Sequence, residues 1–111
     1  MGDRTSIQFV NDDEKSPVFY EHNGGIALLH EVDEFLEVLK QNFPLNERCN
    51  DPITRREPSA ILVMFVAKYV KYQLTFSGGY RLRDSDVFYR NNDNGHWIIN
   101  LKTMKRHERR K

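Results

Sequence analysis

The chain has 111 residues, room for one domain, and its 39% apolar and 12% aromatic content suits a folded globular protein rather than a disordered one. Its longest apolar run, Ala60–Ala67, is too short to cross a membrane, and no basic-then-apolar leader opens the chain, so a cytoplasmic protein is expected. The formal charge of +1 argues against a dedicated nucleic-acid binder, yet residues 1–57 hold 12 Asp/Glu against 6 Lys/Arg while residues 58–111 hold 4 against 11.

In chain order, Ser6–Val10 reads as a first strand with Ile7 and Phe9 inward. The polar run Asn11–Ser16 reads as a hairpin turn. Pro17 opens a second strand, Val18–Glu21, because proline fits a strand only at its start or on an edge. His22-Asn23-Gly24-Gly25 breaks that strand. From Ile26 to about Gln41, Leu28, Val32, Phe35, Leu36 and Leu39 recur as one stripe at helical period, with His30, Asp33, Glu34 and Glu37 opposite. Phe43-Pro44 ends this helix, and Asn42–Glu57 reads as a long irregular loop. Pro58 starts a second helix that continues to Tyr72; its apolar run reaches almost all round, the pattern of a buried central helix. Ser77-Gly78-Gly79 terminates it. Tyr80–Arg83 and Asp86–Arg90 read as strands, Asn91–Gly95 as a tight turn, and Trp97–Leu101 as the returning strand.

Runs of strands and helices without strict alternation predict an α+β fold. The expected architecture is an antiparallel sheet of four to five strands with two helices packed on one face, in the order ββααββ(β). Residues 1–104 are expected to form a single domain and residues 105–111 a basic tail.

Few residue patterns carry chemistry. The single cysteine, Cys49, excludes an internal disulfide and a cysteine-built zinc cluster. None of the four histidines, His22, His30, His96 and His107, lies three or four residues from another, so no metal site is expected. No cofactor motif, serine elbow or paired-carboxylate arrangement stands out, and no catalytic residue is assigned. Three surfaces remain. The turn His22-Asn23-Gly24-Gly25 lies between a strand and a helix start, where backbone N–H groups favour an anion and glycines permit close approach. With Gly79 and Tyr80 it forms a candidate ligand site. The acidic helix face, Asp33, Glu34 and Glu37, is a candidate protein-binding surface, as is the Asn42–Glu57 loop. Arg81, Arg83, Arg90, Lys105 and Arg106, interleaved with aromatics such as Tyr80 and Trp97, form a candidate nucleic-acid surface.

The chain also resembles a loose group of short prokaryotic and phage-encoded proteins with no assigned activity. The resemblance is carried by the opening Met1-Gly2-Asp3-Arg4, by Tyr20-x-His22-x-Gly24-Gly25, by Gly79-Tyr80, and by Asp93-Asn94-Gly95-His96-x-Ile98-Ile99. The chain departs from the group at Asn23, where an aromatic is expected, and in its basic end Lys105–Lys111. The resemblance implies an α+β fold and a mobile-element origin, and no reaction. The expected function is a non-catalytic interaction protein, a phage-type accessory factor binding a host protein. The alternatives are nucleic-acid binding through the basic half, and a small enzyme or phosphate-ligand binder at His22, Gly24 and Gly25. Pairing of two copies through an unguarded sheet edge is left open.

Overall fold

The computed structural model describes residues 3–42, 57–70, 80–84 and 92–109. The predicted strand Asp86–Arg90, Gly79, and the 42–57 loop apart from its end residues lie outside them. Among these residues, six strands and two helices follow one another as β1 (Thr5–Asn11), β2 (Glu14–Lys15), β3 (Val18–Glu21), α1 (Ala27–Asn42), α2 (Pro58–Val70), β4 (Tyr80–Arg83), β5 (His96–Asn100) and β6 (Lys105–Arg109).

The fold is α+β with two helices, but the sheet has six strands and is mixed rather than antiparallel. Its order is β4-β3-β1-β5-β6, with β2 paired to the end of β1. The central pair, β1 and β5, runs parallel, with Ser6 opposite His96 and Val10 opposite Asn100. Both strands are buried on both faces, which is the environment parallel pairs occupy. A parallel partner requires a crossover, and the chain between β1 and β5 supplies one through both helices. Two further residue ranges differ from expectation. The turn predicted over Asn11–Ser16 narrows to Asp12-Asp13, with Asp12 in the left-handed region (φ 54°) that a short polar side chain tolerates. The predicted tail begins as strand β6, since Lys105–Arg109 pairs along the whole of β5 from Asn100 back to His96.

The β1 hairpin carries a bulge whose cause is local. Ile7 opposes Phe19, but Val10 opposes Lys15, so two residues of β1 face three across the ladder. The extra residue falls at Ser16-Pro17, where Pro17 has no N–H to give. Ser16 repairs the gap. Its N–H donates to the Phe9 carbonyl at 2.8 Å, and its Oγ accepts the Phe9 N–H at 3.0 Å while donating to the Pro17 carbonyl at 2.7 Å. Gln8 adds a bond from Nε2 to the Ser16 carbonyl at 2.8 Å.

Strand alternation divides the sheet into two faces. Ile7, Phe9, Phe19 and Ile99 point toward the helices and join Leu28, Val32, Phe35, Leu36 and Leu39 of α1 and Ile61, Leu62 and Phe65 of α2 in one core. Each such side chain contributes roughly 1.5–3 kcal/mol on full burial. The opposite face holds Ser6, Gln8, Val18, His96 and Ile98, all buried as well.

The second helix departs from the expectation that it is enclosed on all sides. Ile61, Leu62 and Phe65 are buried, but Val63 is 66% and Met64 43% exposed. A helix lying on one sheet face has one side toward the sheet and one toward its helical neighbour. Val63 and Met64, on its outer side, therefore stay largely in solvent.

Replacing Ser16 with alanine leaves the buried Phe9 N–H without its acceptor, and a loss of about 1–3 kcal/mol in unfolding free energy is expected from denaturant titration.

Candidate functional site

The exposed apolar side of α2 lies beside β4, and together they form a groove. Its outer part, of about 370 Å³, is lined by Pro17, Leu62, Val63, Val66, Ala67 and Leu82 with Ser59 at its end. A second hollow of about 340 Å³ shares Val66 and Leu82 and continues to Phe19, Tyr80 and Arg81. The α2 residues recur at i, i+3 and i+4, which puts them on one stripe of the helix. Across the groove stands Leu82, 60% exposed. Register explains its direction: Leu82 opposes Phe19 and Tyr80 opposes Glu21, so both face the helices, while Arg81 and Arg83 face the other way.

At its Tyr80 end the groove meets a buried carboxylate. Glu21 is only 5% exposed. Its Oε1 accepts a hydrogen bond from the Tyr69 hydroxyl at 2.8 Å, and the Tyr80 hydroxyl is a second donor. Burial pushes the Glu21 carboxyl above the usual carboxylate range, and the two hydroxyls partly offset that. Burial, together with the neighbouring Glu21 charge, raises both tyrosines, so they remain protonated donors. Aromatic packing holds them in place: Tyr80 stacks on Phe19 at 5.6 Å, and Tyr69 stacks on Phe65 at 5.4 Å.

The glycine turn touches this cluster from behind. A Cβ on Gly24 would lie 2.6 Å from Glu21 Oε1, so a larger residue there displaces the carboxylate from its present position. Gly25, at φ +56°, donates its N–H to the Asp3 carbonyl at 2.8 Å and accepts from Thr5 Oγ1 at 2.7 Å. These backbone groups fasten the turn to the N-terminal segment. His22 is exposed and hydrogen-bonds Tyr20 through Nδ1 at 2.9 Å. Thus Gly24 and Tyr80 both reach Glu21, while His22 lies with Tyr20, on the sheet face opposite the helices.

The acidic helix face is largely engaged within the chain. Asp33 receives a two-pronged bond from Arg106 at 2.7 and 3.0 Å, and Glu37 pairs with Lys40 at 2.9 Å. Glu34 is exposed. A hollow of about 360 Å³, lined by Asp33, Leu36, Glu37, Met104, Lys105 and Arg106, lies beside this pair. The basic residues do not gather into one surface. Arg81 and Arg83 sit on β4, whereas Lys105 and Arg106 sit on β6 at the other side of the sheet. Four strand spacings of about 4.8 Å separate those strands. Arg106 also turns toward the helices, its guanidinium 4.5 Å from the centre of the Trp97 ring. Arg90 lies outside the described residues.

A Ser–His contact that spacing did not reveal lies on the helix-free face. Ser6 Oγ is 2.7 Å from His96 Nδ1 and accepts a hydrogen bond from Asn92 at 2.8 Å. Both Ser6 and His96 are fully buried, so no substrate reaches the pair and it serves to join β1 to β5. Among the described residues no group of three metal-ligating side chains comes together, and no helix is long and apolar enough to cross a membrane. Sequence reasoning missed Glu21 and Tyr69. The available signal was a lone acid closing the apolar strand Val18-Phe19-Tyr20, three residues before a glycine pair. No known protein family, curated protein or solved structure matches the chain significantly.

The raised Glu21 pKa gives a signed expectation. Folding takes up a proton at Glu21 between the usual carboxylate range and the raised value. Relative to Glu21→Gln, the wild-type protein is therefore expected to be most stable below the usual range and to lose that margin as pH rises through the raised value. Thermal melts of both proteins across acid to neutral pH check this; parallel curves count against it.

Proposed function

We propose that this protein is a non-catalytic interaction module that holds an apolar segment of a partner protein in the groove between α2 and β4. The observation that supports it is a row of apolar side chains left in solvent, with Val63 at 66% and Leu82 at 60% exposure on the two walls of one groove. Covering each of them returns roughly 1.5–3 kcal/mol. An exposed ion pair returns about 0–1 kcal/mol. Asp33, moreover, must first leave Arg106 before it can serve a partner. The groove is therefore the stronger source of binding energy than the acidic face, and the docking surface moves from α1 to α2. A phage-type accessory role, in which a small protein engages a host protein, fits a chain that carries a binding groove and no assembled catalytic set among its described residues.

The test is site-specific crosslinking in cells from a photoreactive residue at Leu82, with the same residue at Glu34 as control. Adducts to a discrete protein are expected from Leu82, and Val63→Asp is expected to remove them while changing stability by less than about 0.5 kcal/mol. Equal yields from both positions, or adducts indifferent to Val63→Asp, contradict the reading.

A further inference from the structure

We propose that the groove takes an amphipathic helix laid along α2, with an apolar stripe and, over Tyr80, a carboxylate that Arg81 receives. The proposal rests on the groove reading above and specifies the segment that enters it. Five α2 residues, Ser59, Leu62, Val63, Val66 and Ala67, form one wall over a length of about 12 Å. Four of the five are apolar, and so are Pro17 and Leu82 across from them.

Apolar walls decide the conformation of the occupant. The side chains of Leu62, Val63, Val66, Ala67 and Leu82 offer neither donors nor acceptors. An extended segment laid on them buries backbone N–H and C=O groups against carbon, which is costly. A helix bonds those groups internally and presents only side chains to the walls. Its anchors recur at i, i+3, i+4 and i+7, the same spacing as the α2 ridge they pack against.

Charge decides what else the helix carries, because it is uneven along the groove. At the Tyr80 end the exposed Arg81 borders the inner hollow with Phe19, Val66, Tyr80 and Leu82. Its guanidinium donates at 3.1 Å to the carbonyl of its own neighbour, Tyr80. A carboxylate is the stronger acceptor and matches the guanidinium with two parallel bonds. The last turn of α2 adds an exposed base, Lys68, and the helix contains no Asp or Glu. Of the acids at this end, Glu21 is 5% exposed and bonded to Tyr69 and Tyr80. Glu31 acts on Tyr69 from α1, the helix tied to β6. Toward Pro17 and Ser59 the exposed charges come in opposite neighbours, Glu14 beside Lys15 and Arg83 beside Asp84. An acid on the occupant therefore gains at the Tyr80 end and not at the other, which sets the direction in which the helix lies. The helices of a second copy fit poorly: α2 has no acid, and the apolar stripe of α1 is buried in its own core.

The experiment is anisotropy titration of the full chain with labelled peptides of about 14 residues, stapled as helices. Each carries a leucine stripe on one face and two glutamates in its first turn or, in a second series, its last. Controls replace the glutamates by lysines, scatter the leucines around the helix at the same composition, or break the unstapled helix with a central proline. The better acidic helix is expected to bind at least about fivefold more tightly than each control, and R81E to reverse the preference toward lysine. Equal affinity for acidic and basic helices, or a preference that R81E leaves unchanged, overturns the proposal. So does a proline-broken peptide that binds as tightly as the stapled one, which assigns the groove to an extended segment. In these cases loss of binding in Val63→Asp retains the groove, whereas binding indifferent to Val63→Asp overturns the groove reading itself. Absence of binding by every peptide at millimolar concentration overturns the proposal and leaves the groove to the crosslinking from Leu82. Self-association that Val63→Asp abolishes overturns it in favour of a second copy. Circular dichroism of each variant separates these outcomes from unfolding.

Discussion

Phe65 meets Phe9 at 6.0 Å, Phe19 at 6.2 Å, Phe35 at 5.3 Å and Tyr69 at 5.4 Å. One ring thereby touches two strands, the other helix and the next turn of its own helix. Aromatic pairs at these separations add to the area they bury, so α2 has one low-energy position over β1 and β3. On the other flank the Asp33–Arg106 bond ties α1 to β6. Two helices packed about 10 Å apart cover less width than five strands about 4.8 Å apart. With α1 anchored at β6, the uncovered width falls at β4. The groove follows from this mismatch between the helical layer and the sheet.

The cost of that arrangement is concentrated at Glu21. A carboxylate at the end of β3 lies under the C-terminal part of α2, where water is excluded, and an ionised group there is unfavourable unless it is hydrogen-bonded. Tyr69 from α2 and Tyr80 from β4 supply the donors, and Gly24 supplies the space. These contacts join four separate parts of the chain at one polar point: β3, the turn before α1, α2 and β4. Because Tyr80 also lines the groove, occupation of the groove and the protonation of Glu21 share a wall.

Two further ion pairs among the described residues join segments that are far apart in the chain. Arg4 holds Asp93 through side chain and backbone, which lowers the Asp93 carboxyl below its usual range and ties the N-terminal segment to the turn before β5. Lys102 reaches Asp12 at 2.8 Å between the two turns at the opposite end of the β1–β5 pair. Exposed pairs of this kind contribute little stability each, yet they set which loops lie together. Two of the ion pairs, Lys102–Asp12 and Arg106–Asp33, join an acid of the first half to a base of the second.

The sequence by itself determined the local elements. The stripe of Leu28, Val32, Phe35, Leu36 and Leu39 defines α1, Pro58 opens α2, and the alternation around Ile7, Phe9 and Ile99 defines inward strand faces. Periodicity reports which side of an element is apolar because that property belongs to the element alone. It does not report what covers that side. The apolar run of α2 therefore read as a helix enclosed on all sides, when only the side bearing Ile61, Leu62 and Phe65 is enclosed. Tertiary structure alone decided that β1 and β5 run parallel, that Lys105–Arg109 is a strand, and that Arg106 leaves the basic row to hold Asp33. It also decided that Glu21 is buried beneath two tyrosines. Each depends on a contact between residues far apart in the chain, and the energy of such a contact is fixed by geometry that no window of neighbouring residues contains.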